Sequence, residues 1–514
     1  MKIIIISLIP ILFIGSFLGG LLFIIQDLTS FIYELDTDPE IDDFYALNDI
    51  DLESLRDAAT LLSEREEDYH IPINLSQVIK INESTNRVAE YRPTDNAGLF
   101  TGYALSAECF RYANLTMTTP IEKEQSLTLV KKLLSGLIKL IEVPNGGLGP
   151  EYPGQTLARF YAAPEWKTDG NFSWMFEDHH KHYNGTGKYS DWRVRLYTSK
   201  DELGGYILGI ASAFKLVDDP WVQENVKLIV GQLTEGFLDS YWQEIHGDGT
   251  PCGAHLQPPT PPQWKLVIMK MAILMYPNNE RYKQLYHYYL TRCMSTLNAA
   301  TLGATDSISN YFGLPFEHNV ILSLLLVEDN QKLIDRYITN YEKSYRAFKG
   351  QRNAYFNSIY LAMNKRRSTT AQYNITKIRW DVLDQLWRLN VSGHIPFDDT
   401  YGGDNVTITR EELATTDESW VALEPKLQKW KQHPLSSLYN WLWEGDGALM
   451  PKLFEDRYIR PATADMFGVH NFIWGKSPFT TTGGSEKSSE NFRTEAPGVS
   501  FSLPYWIIAY FGYL

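Results

Sequence analysis

Cysteine is nearly absent from this 514-residue chain, which contains only Cys109, Cys252 and Cys293. Three thiols allow at most one internal disulfide, so a disulfide-stapled scaffold is excluded and cysteine usage does not identify a redox compartment. The chain also lacks a Gly-x-Ser-x-Gly elbow, a P-loop and a dinucleotide-binding fingerprint in a usable context. Nucleotide and serine-hydrolase chemistry therefore lack support, and the sequence predicts no cofactor.

Basic residues are scarce near the N-terminus. Residues 27–68 contain fifteen Asp or Glu against two Arg, within a chain of net charge −15. Nucleic-acid binding needs a basic footprint, so no nucleic-acid partner is expected. We expect the first part of this segment, to about Asp49, to form an extended, solvated stalk. For the second half, the alternative is that the charges form the solvated face of helices beginning at Leu52.

Charge is missing altogether from Ile3–Ile25, a run of 23 residues. At about 1.5 Å per residue such a run can cross roughly 30 Å of hydrocarbon, so residues 1–26 are predicted to be a single-pass membrane anchor. A cleaved signal peptide, with a shorter apolar region of about 7–15 residues and a small-residue exit, is the alternative. Lys2 precedes the run and no basic residue follows before Arg56. The N-terminus is therefore expected in the cytoplasm and the main domain outside the cell.

Eight Asn-x-Ser/Thr sequons agree with export. If the chain leaves the cell, each is a candidate glycan acceptor, which predicts an extracellular glycoprotein. The acceptor asparagines are Asn74, Asn82, Asn114, Asn171, Asn184, Asn374, Asn390 and Asn405.

Alternation typical of strands is also scarce, whereas apolar residues recur at helical spacings of three and four. The clearest cases are residues 203–214 and 222–237, separated by an Asp-Asp-Pro break. Further helical segments are predicted at 98–113, 124–142, 263–276, 281–296, 318–328, 331–347, 353–363 and 378–389.

The pairing of these segments predicts an all-α domain over residues 69–514, built from stacked or closed helical hairpins. Two long loops, roughly 144–200 and 394–434, are expected to carry function. The apolar run after Pro504 is too short to span a membrane and is predicted to be a closing core helix or strand.

Two motifs carry a resemblance to a known family. Thr198-Ser199-Lys200-Asp201-Glu202 opens a predicted helix, and Leu503-Pro504-Tyr505-Trp506 lies near the end of the chain. In segment order, most of residues 95–514 resembles extracytoplasmic proteins with the (α/α)6 toroid of six-hairpin glycosidases. The resemblance implies that loops at one end of the inner helices form a cleft for glycans. Tyr206 departs from the pattern, which has a histidine there.

Glycoside hydrolysis needs a proton donor and a second carboxylate acting as base or nucleophile. Asp201 and Glu317 are the candidate catalytic acids, because each opens a predicted helix after a polar, aromatic-containing loop. Acidic residues in a first helical turn also serve simply as caps, which is the alternative for both. Four further residues are candidates for positioning a substrate: Glu202, His255, Trp264 and His318.

The segment from Glu177 to His182 is the densest cluster of possible metal ligands, with His179 and His182 three residues apart. It lacks a second His pair at a recognisable spacing, so no metal site is predicted.

The favoured function is a surface-anchored, carbohydrate-active protein, hydrolase-like or lyase-like, acting on external glycans. The alternative is a non-catalytic, glycosylated cell-surface or envelope protein, and another enzyme on the same scaffold is the third reading. Two carboxylates that face each other across a cleft lined by aromatic rings would favour the carbohydrate-active enzyme. A toroid whose centre is filled by side chains would favour the non-catalytic protein.

Overall fold

A computed structural model describes residues 44–296 and 313–391 with short gaps, and residues 463–466, 474 and 492–514. The gaps are residues 83, 92–94, 116–118, 153–155, 169, 246–248, 258–259, 261 and 347. The predicted anchor, the predicted loop at 394–434 and the sequon Asn405 lie outside the described residues. Within the described part, no helix is both long and apolar enough to cross a membrane.

The described chain is mostly helical, with twelve α-helices. They are α1 (Leu52–Arg65), α2 (Ala97–Asn114), α3 (Pro120–Asn145), α4 (Lys200–Leu216), α5 (Pro220–Asp239), α6 (Gln263–Met275), α7 (Glu280–Thr296), α8 (Leu314–Val327), α9 (Gln331–Tyr345), α10 (Ala354–Arg366), α11 (Ile375–Val391) and α12 (Val499–Tyr510).

Each of the ten helical segments predicted from apolar spacing coincides with one of these helices. The C-terminal apolar run forms helix α12. Local chemistry sets several of the ends. The Asp51 side chain accepts hydrogen bonds from the first-turn amides of α1, and Asp219 caps α5, which opens on Pro220. Gly146 ends α3 with φ of +85°, a conformation that glycine adopts without steric cost.

The prediction of a purely helical domain is wrong in one respect, because three small antiparallel sheets are present. Their strands have only three to five residues, too few to show an alternating pattern in the sequence. The first sheet contains β1 (Ile79–Asn82), β2 (Arg87–Tyr91) and β8 (Phe492–Glu495), with β1 in the middle. The second contains β3 (Phe160–Ala162), β4 (His182–Asn184) and β5 (Arg193–Arg195), with β5 in the middle. The third is the pair β6 (Gln243–Ile245) and β7 (Pro251–His255). Ile79 of β1 pairs with Tyr91 on one side and with Glu495 on the other.

Helices α2 and α4 pack against each other in parallel. A Cβ atom at Gly102 would overlap the backbone carbonyl of Gly205, so at this point the two backbones are in contact. One turn further on, the hydroxyls of Ser106 and Ser212 lie 2.8 Å apart. Residue numbers rise together along both helices, so their N-terminal ends lie at the same end of the domain.

The helices α2, α4, α8, α10 and α12 form a succession of contacts in which each packs against the next, and α12 packs against α2. Their C-terminal ends lie together, as four side-chain contacts show. The pairs are Lys215 with Asp329, Arg366 with Glu328, Asn364 with Tyr513, and Phe110 with Tyr510. The following helix in the chain packs on most members of the series: α3 on α2, α5 on α4, α9 on α8 and α11 on α10.

The first described residues, Phe44 and Tyr45, contact α11. The backbone amide of Tyr45 donates to Asp384 at 2.7 Å, and Trp380 donates from its indole nitrogen to the Tyr45 carbonyl at 2.7 Å. Phe44 is buried, with its ring 5.4 Å from that of Trp380. Phe44 and the backbone of Tyr45 thus hold the end of the predicted stalk against α11, whereas Ala46, Asn48 and Asp49 are exposed, and residues 27–43 of that prediction lie outside the described residues.

The second half of the acidic segment is helix α1, whose end is built into the fold. Arg65 donates to both carboxylate oxygens of Glu495, at 2.6 and 2.8 Å. His70 is buried, with Nδ1 2.7 Å from the Gln77 carbonyl and Nε2 3.2 Å from Glu495. Both partners can only accept, so the imidazole carries two protons. Burial lowers the pKa of His70, but Glu495 and Glu66 outweigh that effect and raise it.

We expect Gly102→Ala to lower the free energy of unfolding by at least about 2 kcal/mol, because the added methyl group would have to separate α2 from α4. Gly170→Ala is the matched control, since its Cβ would meet nothing within 4 Å, and it should change stability by less than about 0.5 kcal/mol. Urea denaturation measures both. Equal midpoints for the two variants would show that the close approach of α2 and α4 is not required.

Candidate functional site

The first turns of α4, α6 and α8 converge at Gly204. A Cβ atom at Gly204 would lie 3.2 Å from the Phe316 Cβ and 3.2 Å from the far edge of the Trp264 ring. The absence of a side chain at this position lets the three helices approach one another. Residues Lys200 to Glu202, Gln263, Trp264 and Glu317 are consequently gathered at one end of the helices.

Glu317 is half-buried, and both of its carboxylate oxygens are held. Gln263 donates to Oε2 at 3.3 Å, and the indole nitrogen of Trp264 donates to Oε1 at 3.3 Å. The charge of Glu317 also acts on Lys200. Burial lowers the pKa of Lys200, and the negative charge of Glu317 offsets part of that decrease. Donors on both oxygens fix the orientation of the carboxylate while part of the side chain remains accessible. Such a group is suited to taking a proton from, or hydrogen bonding to, a ligand hydroxyl.

Asp201 is also half-buried, one turn before Gly204 on α4. The side-chain amide of Asn96, oriented so that it donates, lies 3.2 Å from the Asp201 carboxylate. Burial raises the pKa of Tyr103, and the nearby charge of Asp201 raises it further. The Tyr103 hydroxyl accepts a hydrogen bond from Asn319 of α8 at 3.0 Å. Asp201 and Glu317 thus lie on the first turns of neighbouring parallel helices.

Glu202 lies next to Asp201 in the chain but points into the protein. It is fully buried, and its carboxyl group faces the backbone amides of Gly98 and Leu99 at the N-terminal end of α2. Burial raises its pKa well above the usual range, the charge of Asp201 adds to the rise, and Arg159 opposes it. Glu202 therefore connects α4 to the start of α2, and its buried position offers no surface to a substrate.

Sequence reasoning missed three residues that are linked through Arg159, whose charge also acts on Glu202. Glu244 is buried, accepts a hydrogen bond from the Leu157 amide at 2.8 Å and has its pKa raised to about 8 by burial. Arg159 donates to the carbonyl of Tyr197 at 2.6 Å. Tyr197 has φ of +70°, a left-handed conformation that is uncommon for a bulky residue. The only available signal was the position of Tyr197 immediately before the motif at 198–202.

Two residues predicted to position a substrate lie in the core. His318 stacks on Phe356 with ring centroids 3.7 Å apart, and burial lowers its pKa to about 3. Trp264 is fully buried, so its ring has no exposed face, and it serves instead as a donor to Glu317. His255 is half-buried at the end of β7, a strand that packs against α4.

The described sequons differ in exposure. Exposed acceptors are Asn171, Asn184 and Asn374, whereas half-buried acceptors are Asn74, Asn82, Asn114 and Asn390. The amide nitrogen of Asn390, the atom that a glycan would occupy, donates to the Ser54 hydroxyl at 2.8 Å. A glycan at Asn390 would break this link between α11 and α1.

Among the described residues, no group of three or more His, Cys, Asp or Glu side chains is arranged to hold a metal ion. In the histidine segment, the rings of His179 and His182 lie 4.7 Å apart. Burial, together with the charges of His179 and Arg195, lowers the pKa of His182 to about 4.

Comparison of the chain with protein-family models, with curated proteins and with solved structures finds no match. The resemblance based on residues 198–202 therefore stays a prediction, and the chemistry of this end of the domain has to be inferred from its own residues.

We expect Glu202→Gln to be as stable as the wild type at pH 4 and more stable at pH 8. A carboxyl group whose pKa is raised in the folded state stabilises the fold below its unfolded pKa, and this contribution is lost as the pH rises toward the folded value. Glutamine keeps the shape of the neutral acid and does not titrate.

Urea denaturation of both proteins at the two pH values measures the difference in stability between wild type and variant. This difference reports on Glu202 alone, because Glu244 is present in both proteins. A glutamine variant that is less stable than the wild type at pH 8 would mean that Glu202 is ionised in the folded protein.

Proposed function

We propose that the helices close into an (α/α)6-like toroid and that the end carrying Glu317 acts on a glycan as a hydrolase or lyase. The contact series returns from α12 to α2, its helices share one direction and outer helices pack on them, which supports a toroid; the series has five helices in the described part of the chain, where an (α/α)6 ring has six. In such a ring, the loops before the inner helices surround one end, which is where Asp201 and Glu317 lie.

The observation that carries the proposal is that two partly accessible carboxylates, Asp201 and Glu317, both lie on the first turns of parallel helices, α4 and α8. Glu317, held by Gln263 and Trp264, is suited to act as base or nucleophile, because its donors favour a carboxylate. Asp201 supplies the second carboxyl group that glycosidic bond cleavage requires. Tyr197, held in a left-handed conformation just before this turn, agrees with a functional site, where backbone strain concentrates.

A second candidate function, glycan or surface binding without catalysis, is favoured by the closed centre of the helix series. The Tyr355 hydroxyl donates to Asn319 at 2.5 Å, and the Asn319 amide donates to the Tyr103 hydroxyl at 3.0 Å. All three side chains are fully buried and join α2, α8 and α10 across the axis. Any ligand would then bind on the end of the domain rather than in a central channel.

We expect Asp201→Asn and Glu317→Gln to abolish glycan cleavage, with a loss of about 10²–10⁴-fold in rate, while the melting temperature changes by only a few degrees. Glu53→Gln is the matched control, because Glu53 also lies in the first turn of a helix but is exposed on α1. Its activity should equal that of the wild type.

Reducing-end assays on a panel of polysaccharides measure turnover. A wild type that binds a polysaccharide without cleaving it would favour the second candidate. Variants that retain full turnover would contradict the assignment of the two carboxylates.

We also propose that the domain is held outside the cell by residues 3–25, with the N-terminus in the cytoplasm. The charge-free run, the lone Lys2 and the eight sequons support this topology. An external protease added to intact cells should remove the domain and leave a short N-terminal tag protected. Recovery of a soluble mature protein beginning after residue 25 would contradict the retained anchor.

A further inference from the structure

A buried cluster of charged residues joins the end of α1 to β8. Arg65, the last residue of α1, donates to both carboxylate oxygens of Glu495, and Nε2 of His70 lies 3.2 Å from the same carboxylate. The side chain of His70 is 1% exposed and that of Glu495 is 2% exposed. Because the two residues are 425 positions apart in the chain, their contact fixes the turn Glu66–His70 against a distant strand.

The His70 ring is held on both sides by groups that accept hydrogen bonds. Its Nδ1 atom lies 2.7 Å from the Gln77 carbonyl, so the ring needs a proton on each nitrogen to donate to both this carbonyl and Glu495. Two acidic side chains act on the ring, Glu66 from its own turn and Glu495 from β8. Both favour the doubly protonated, charged form of the imidazole.

Glu495 keeps its charge throughout the neutral and alkaline range. Burial raises its pKa, but the hydrogen bonds and charges of Arg65 and His70 outweigh that effect and lower the pKa to about 2. A change in pH between neutral and alkaline conditions therefore alters the ring of His70 and leaves the Glu495 carboxylate as it is.

Glu66 is a second buried group of this cluster that can titrate. Burial raises its pKa, the charge of His70 opposes the rise, and the charge of Glu108 on α2 adds to it. Glu108 is itself paired with Arg111 at 3.4 Å. The effect of His70 is separated from that of Glu66 by comparing proteins that both retain Glu66.

The cluster lies where the closing helix begins. Glu495 is the last residue of β8, and α12 begins at Val499. A Cβ atom at Gly498 would lie 2.8 Å from the Leu62 side chain, so the start of α12 packs directly against the last turn of α1. The cluster thus holds together α1, β8 and the start of the helix that packs on both α2 and α10.

We propose that His70 is a pH-operated latch, which in its doubly protonated form holds the turn Glu66–His70 to β8 and under alkaline conditions releases this corner and the start of α12. Neutral imidazole has a single N–H group, so either the Gln77 carbonyl or the Glu495 carboxylate would lose its donor. Protonation of a buried histidine is a known way to switch a contact between two elements. The inference does not depend on the proposed function.

His70→Gln removes the titrating ring and keeps Glu66. A histidine whose pKa is raised in the folded state stabilises the fold fully below its unfolded pKa of about 6.5, and the contribution is lost as the pH rises through the folded value. We therefore expect the urea midpoint of the wild type to exceed that of His70→Gln most at pH 6, and the margin to narrow steadily up to pH 9. His287→Gln is the matched control, since His287 is exposed on α7, and it should follow the wild type throughout.

Hydrogen exchange at pH 7 and pH 9, compared between segments at the same pH, locates the release. Segments 66–82 and 492–498 of the wild type should lose protection at pH 9 relative to α8. Glu495→Gln removes a charge that favours the doubly protonated ring, so it should bring this loss to lower pH.

A constant margin between the wild type and His70→Gln from pH 6 to pH 9 would overturn the latch, because Glu66 or another group would then cause any pH dependence. Protection of both segments that matches α8 at pH 9 would overturn it as well. If His70→Gln does not fold, Glu495→Gln decides: release at lower pH than in the wild type supports the latch, and release at the same pH overturns it.

Discussion

The backbone contact between α2 and α4 is the constraint on which the rest of the structure depends. Gly102 and Gly205 leave no side chain between the two helices, so the helices run parallel at contact distance. Gly204, on the neighbouring face of α4, makes room for α6 and α8 in the same way. Because the helices run in register, their first turns, and with them Asp201 and Glu317, come to one end of the domain.

Acidic groups at that end divide into two kinds by burial. Glu202 and Glu244 are enclosed, desolvation raises the pKa of each, and both lie against backbone amides. Asp201 and Glu317 remain partly accessible and can meet a ligand. Neighbours in the chain, Asp201 and Glu202, thus have opposite roles because α4 turns one toward solvent and the other toward α2.

Helix positions could be predicted from the sequence because apolar spacing is a local signal, as residues 203–214 of α4 show. The roles of His318 and Trp264 could not, because α8 and α6 are apolar on nearly every side and the pattern does not reveal which way each ring points. The pairing of Ile79 with Glu495 was equally invisible, since it joins short strands from distant parts of the chain.

The packing of α12 on α2 and α10 has a consequence for biosynthesis. Residues 115–498 separate α2 from α12, so the two apolar faces that α12 covers are made long before α12 leaves the ribosome. Until then α2 and α10 expose surface that is buried in the finished domain. Such long-range closure slows folding and leaves partly folded chains with exposed apolar surface until α12 is in place.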